Sequence, residues 1–392
     1  MERIAVRAEA MLSHLLSFWK GLRDDDFGGY YGYMDQDLHV DRKAVKGCIL
    51  NSRILWFFSE AAMLTNREDL RAEADHAYAF LREHCIDREN GGVFWSVTYD
   101  GRVSDGTKHT YNQAFAVYAL SSYYLLTGNT EARDIALSIF DRIESTCRDA
   151  GGYLESFTAD WHIESNEKLS ENGVLADRTM NTLLHVFEGI ANLYRATGSE
   201  KAAEAMRQCL DIYQTKVYDS ARRQQRVFFD AGYRSLIDLQ SYGHDIESGW
   251  LMEKGAALLG DAKLTRSIEI IGTHLTESVY ERAFRSGSVR NERERGVEDE
   301  TRIWWVQAEA VTGFVNLWSK CGEEKYARAA ADVFTFIEEK LTDKRPGSEW
   351  FWCLDKNGDP VPGKPIVEEW KCPYHNGRMC MELIRRDPEI YV

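Results

Sequence analysis

Apolar residues recur along this chain at i, i+3, i+4 and i+7 in one segment after another, with Gly and Asn/Asp clusters as stops. The spacing predicts twelve helices, over roughly 3–23, 44–65, 68–86, 108–127, 129–147, 177–197, 199–217, 243–259, 262–281, 302–321, 323–343 and 373–386. Links after the even-numbered helices are only a few residues long, such as TGNTE at 127–131, and read as antiparallel helix hairpins. Links after the odd-numbered helices run to roughly twenty to thirty residues, well above ordinary loop lengths. The even helices return every sixty to seventy residues, a repeat in which no hairpin buries its own apolar face. The expectation is an all-α fold, a toroid of six helical hairpins forming an (α/α)6 barrel, with residues 1–392 as one catalytic domain. Gly-aromatic strings in the long links (GGYYGY at 28–33, GGVFW at 91–95, GGYLESF at 151–157, GSEWFW at 347–352) predict short β-hairpins around one mouth.

Composition supports this picture and narrows the chemistry. All six prolines lie from residue 346 onward, leaving a long proline-free stretch that helices tolerate. A net charge of −15 argues against nucleic acid or an anionic membrane as partner, because both require a basic face. Eleven Trp, nineteen Tyr and seventeen Phe exceed what a helical core needs and suit the flat faces of sugar rings. The eight cysteines are dispersed and read as reduced thiols. With no signal-peptide pattern, N-x-S/T sequon or long apolar run, the expected location is the cytoplasm.

Six polar strings fall near the starts of the even helices: ILNSR at 49–53, KHTYNQ at 108–113, RTMNTLLH at 178–185, SYGHDIE at 241–247, TRIWWVQAE at 301–309 and KCPYHNGR at 371–378. If these helices form an inner ring with parallel N-termini, all six strings meet at one mouth. Asn181 and His185, four apart, share a helix face, as do Trp305 and Glu309; His244 and Glu247, and His375 and Arg378, are three apart. The pocket so formed holds three imidazoles, carboxylates, guanidiniums and indoles. Arg53, inside the apolar run CILNSRILWFF, needs a carboxylate or a ligand oxygen if it is buried. Single histidines and Trp304 also have a plain reading as core residues. Cys372, His375 and Cys380 lack the second ligand pair of a zinc site, and no dinucleotide, P-loop or nucleophile-elbow motif occurs, so no metal or cofactor is expected. What remains is acid–base chemistry on a sugar-like ligand. A glycosidase would need two carboxylates flanking a bond; a pocket richer in histidine favours proton transfer at carbon.

At these strings, together with FWKGLRDDDFGGYYGY, SRILWFFS, KHTYNQAFAVYALSSYY, LSENG and EWKCPYHNGRMCME, the sequence resembles the cellobiose 2-epimerases of the N-acylglucosamine 2-epimerase superfamily, through essentially the whole chain. The resemblance implies an (α/α)6 barrel and reversible epimerisation at C2 of the reducing-end glucose of β-1,4-linked disaccharides, with no metal or nucleotide requirement. It further implies that His244 and His375 are an acid–base pair on opposite sides of C2, with His185 near O1. Arg53 would bind the oxygens on C1 and C2, and Tyr111, Asn181 and Glu247 would position substrate or orient a histidine. Glu309 and Arg378 are grouped with the substrate-binding residues, Arg378 also as a support for His375, and Trp305 and Trp370 would stack on the two sugar rings. Alternatives are an aldose–ketose isomerase or N-acylglucosamine 2-epimerase of the same superfamily, a glycoside hydrolase on the same toroid, or a non-catalytic sugar-binding protein. The expected state is a monomer or weak dimer.

Overall fold

The computed structural model describes residues 2–169 and 171–392; Met1 and Ser170, the latter within LSENG, lie outside them. Twelve helices occur among these residues: α1 Ile4–Lys20, α2 Cys48–Thr65, α3 Glu68–Phe80, α4 Thr110–Thr127, α5 Thr130–Arg142, α6 Met180–Thr197, α7 Glu200–Ile212, α8 Tyr242–Leu258, α9 Ala262–Arg282, α10 Trp304–Cys321, α11 Glu324–Phe336 and α12 His375–Arg386. The sequence runs α3, α5, α7 and α11 a turn further. In each case the extra residues (Leu81–Cys85, Ile143–Cys147, Tyr213–Val217 and Ile337–Leu341) form a wider π-helical turn.

The even helices pack side by side as an inner ring, α2 on α4, then α6, α8, α10 and α12, which returns to α2. Each odd helix lies outside: α3, α5, α7, α9 and α11 pack on the helix that precedes them, and α1 packs on α12. Sequence pattern dictates this sorting. In α2 every residue from Cys48 to Ala62 is buried, as a helix packed on all sides requires, whereas α7 and α11 bury one stripe only. Within the ring α6 crosses α4 closely at Gly189, where a Cβ would lie 2.6 Å from the Ala114 carbonyl oxygen. The (α/α)6 barrel expected from the pattern is therefore present, and no described helix is long and apolar enough to cross a membrane.

Termini close the ring. Backbone hydrogen bonds join Glu2 and Val392 in both directions at 3.0 Å, and the Ile4 amide donates to the Ile390 carbonyl at 2.9 Å. The long links form a belt of short antiparallel pairs around the end of the barrel where the inner helices start: Lys46 with Val97, Lys108 with Phe157, Arg178 with Phe229, Ser241 with Glu292 and Arg302 with Leu354. Met34 opposite Val367 closes the belt.

An internal repeat of buried cations, each paired with an aspartate, ties belt to helices. One oxygen of Asp24, Asp87 and Asp149 caps a Gly-rich turn by accepting two backbone N–H groups. The same side chains pair with Lys46 at 2.6 Å, Lys108 at 2.8 Å and Arg178 at 2.6 Å, cations on the strands that lead into the next inner helices. Lys108 is fully buried. Lys108→Met strands the buried Asp87 carboxylate and should cost about 3–5 kcal/mol. Denaturant unfolding measures this; an unchanged midpoint would show that the pair carries no such weight.

Candidate active site

All six inner helices send a side chain to a cavity of about 240 Å³ at their N-terminal mouth: Arg53 from α2, Tyr111 from α4, Asn181 and His185 from α6, His244 and Glu247 from α8, Trp305 from α10 and His375 from α12. Trp352 and Trp370, from the last long link, and Glu167 to Leu169, from the link before α6, complete the wall. Trp304, for which a plain core role was open, is 2% exposed yet also reaches this wall.

The three imidazoles are almost wholly buried and are held by different partners. His375 Nδ1 lies 2.7 Å from Glu309 Oε1, His185 Nδ1 lies 3.0 Å from Glu188 Oε2, and His244 Nδ1 lies 2.7 Å from the Ser241 hydroxyl. In each case Nδ1 is engaged, so Nε2 is the nitrogen left free to work on a ligand. Trp305 touches both His244 and His375, with ring centroids 4.7 and 5.3 Å apart. Burial, with help from His185, pushes the His244 pKa down to about 3. Burial and the nearby Arg378 and Arg53 guanidiniums hold His375 well below the ordinary imidazole value, and burial lowers His185. All three are thus neutral, and able to accept a proton, at pH 7.

Beneath this wall lies a layer of charge centred on Arg378. Its Nη1 donates to Glu188 Oε1 at 2.7 Å and to Tyr374; its Nη2 donates to Glu309 Oε1 at 2.7 Å and to Glu247 Oε1. Glu309 also accepts from Trp250 Nε1 at 2.9 Å. Burial raises the pKa of Glu247 and of Glu309, with the charge of Glu309 adding to the rise at Glu247, while at Glu188 burial is outweighed by Arg378, His185 and Tyr374 together, which hold it at about 2.

Three sequence expectations change here. Glu309 and Arg378, grouped with the substrate-binding residues, do not line the cavity; they lie behind His375. Glu247, read as one turn from His244, faces Arg378 and lies 3.8 Å from His375 Nδ1, and it is Ser241 that holds His244. Arg53 has no carboxylate partner among the described residues: it donates to the Tyr111 hydroxyl at 2.7 Å and to the Cys372 sulfur at 3.6 Å, and lies 4.2 Å above the Phe115 ring. Its Nε, Asn181 Oδ1 and Glu247 Oε2 are buried polar atoms without a protein partner around this one cavity, as expected where a polyhydroxylated ligand binds. Sequence reasoning passed over Glu188, Ser241, Tyr374 and Trp352. The His185–Glu188 spacing of three was a usable signal; the others carry none.

Glu247, Glu309 and His375 offer ligand atoms within 4.8 Å of one another, a spacing a divalent cation could bridge. Arg378 already supplies the positive charge between the two carboxylates, so the donor set does not fit a metal.

Residues 29–376 match the sequence pattern of the N-acylglucosamine 2-epimerase family. The chain belongs to that family. It is 50% identical to the cellobiose 2-epimerase of Eubacterium cellulosolvens over 392 residues, 96% of each chain, and 44% identical to that of Ruminococcus albus over 97% of this chain and 98% of the relative. The crystal structure of a sugar epimerase from a ruminal bacterium superposes with a TM-score of 0.98 at 43% identity, covering 99% of this chain and 100% of the other. Family membership makes the protein an isomerase of the epimerase class.

Proposed function

We propose that this protein reversibly epimerises C2 of the reducing-end glucose of β-1,4-linked disaccharides, converting cellobiose to glucosyl-mannose and lactose to epilactose. The observation that carries the reading is the set of neutral, Nδ1-anchored imidazoles around one Trp-walled cavity; full-length relatives named cellobiose 2-epimerase support the substrate. In this reading His185 assists ring opening at O1, and Arg53 holds the oxygens on C1 and C2. One of His244 and His375 removes the C2 proton; the electron pair left behind forms the C1–C2 double bond, and charge moves to O1 to give a cis-enediolate. The other histidine, neutral in the free protein, takes up a proton from solvent once substrate is bound and returns it to the opposite face of C2, restoring the C1 carbonyl, while the first loses its proton to solvent. Trp305 and Trp370 hold the two rings. A glycosidase finds less support: Glu309 is committed to Arg378, Trp250 and His375, leaving Glu247 as the one inner-helix carboxylate at the wall.

Incubation with cellobiose, lactose, mannose and N-acetylmannosamine in heavy water, followed by NMR, tests the proposal. Deuterium at C2 of an epimerised disaccharide is expected; turnover of mannose alone would replace it with an aldose–ketose isomerase, and free glucose from cellobiose with a hydrolase. A lowered pKa keeps an imidazole in its neutral, proton-accepting form as pH falls. The acid limb of kcat/KM should therefore lie well below the ordinary imidazole value of about 6.5. A midpoint at or above that value in a pH–rate profile would contradict it.

A further inference from the structure

The inner helices leave a second cavity at their C-terminal ends, on the other side of the Glu188–Arg378 layer, and it shares no lining residue with the first. By the measure that gives the first cavity about 240 Å³, it holds about 60 Å³. Trp56, Phe187 and Trp250 give it aromatic walls, all three buried. Cations surround the rim. Glu60 accepts from both Arg195 and Arg385 at 2.6 Å, and Glu382 from Lys254 at 2.5 Å and Arg386 at 3.1 Å. With Arg378 and Glu188, the lining thus carries four cations against three carboxylates, a local excess of positive charge on a chain whose net charge is −15. Both glutamates are buried at 4–5% exposure, whereas Arg195, Lys254 and Arg385 keep 31–46% of their side chains open to solvent. Arg378, Lys254 and Arg386 also lie 5.0–5.8 Å from the Trp250 ring centroid, so three cations surround one indole. Cations near helix C-termini offset the carbonyl ends of those helices, which accounts for them singly but not for the aromatic cavity they rim.

We propose that this lower cavity binds a small monocarboxylate with a flat apolar body, its ring against the aromatic walls and its carboxylate among Arg195, Lys254 and Arg385. Arg378 and Glu188 line the cavity and also hold, from below, the groups that anchor His375 and His185. Occupancy therefore alters turnover without displacing sugar from the upper cavity. Benzoate is a suitable probe, titrated into the full-length protein by NMR and calorimetry beside its neutral counterpart benzyl alcohol. Expected are a benzoate Kd of about 1 mM or tighter, binding of benzyl alcohol weaker by about tenfold or more, and weakening of benzoate by Lys254→Gln. Ala191→Phe, which fills the cavity, should abolish binding. Benzoate should act on epimerisation as a non-competitive effector. Equal binding of benzyl alcohol, unchanged affinity in Ala191→Phe, or competition with disaccharide would overturn the proposal. So would no benzoate binding to a protein whose Tm falls on Lys254→Gln, since that is the signature of a helix-end charge alone. The binding measurements stand whichever sugar the upper cavity turns over.

Discussion

His375→Asn lowers kcat for disaccharide epimerisation by ~10²- to 10⁴-fold, the range expected for loss of one acid–base group, with a much smaller change in KM. Glu309 fixes His375 through Nδ1, so the ring enters the cavity with Nε2 as its working atom. Trp305 packs at a tilt on one side and Tyr374, 4.6 Å away between centroids, meets it edge-on. Asparagine can keep a hydrogen bond to Glu309 but carries no basic nitrogen. A sharper result separates a two-histidine arrangement from a single shuttle. If His244 and His375 serve opposite faces of C2, each single variant still exchanges the C2 proton of one epimer with heavy water while failing to interconvert the two. Retention of more than about a tenth of wild-type kcat in His375→Asn would exclude it as an acid–base group.

Arg378→Met has the second large effect, on stability as well as rate. It removes the one cation shared by Glu188, Glu247 and Glu309, each 5% exposed or less. Leaving buried charge unpaired costs about 3–5 kcal/mol. The sign of its pH dependence follows from linkage. Without the guanidinium, the folded-state pKa values of Glu247 and Glu309 rise further above their unfolded value, and Glu188 loses the cation that helps to hold its own low. The stability of the variant is then greatest below the unfolded pKa and falls as pH rises toward the folded one. The Tm deficit relative to wild type should therefore widen between pH 5 and pH 8. A deficit that stays constant or narrows over that range would show that the layer does not depend on Arg378 for neutralisation. Lysine at the same position restores charge but not the fork that reaches three carboxylates, so its rescue is partial.

The ring was legible in the sequence because link lengths alternate and the even helices return every sixty to seventy residues, features that periodicity reports directly. The six strings at the helix starts located the mouth for the same reason. What periodicity does not report is depth. Glu188, Glu309 and Arg378 stand three or four residues after His185, Trp305 and His375, on the same faces but one turn further from the mouth. Spacing placed Trp305 with Glu309 correctly as neighbours on a face, yet on a helix buried all round a shared face does not say which residue meets the ligand. Ser241 ends the strand before α8, and its hydroxyl reaches His244 only because the chain turns there; one serine among many gives no warning of that. Tyr374 and Trp352 come from the last long link, whose path is set by pairing with distant strands rather than by its own pattern.

The closure of the ring by the chain's two ends also has a temporal meaning. During synthesis, α1 and the five hairpins emerge in order and can pack as they appear. α1, however, packs mainly on α12, which is made after all five hairpins. His375 and Arg378 stand at the start of α12, so Glu188, Glu247 and Glu309 are gathered in a shell whose cation is made after all three. Burial of those three carboxylates is unfavourable until then, which sets the docking of α12 as the step that joins the barrel and the charge layer together.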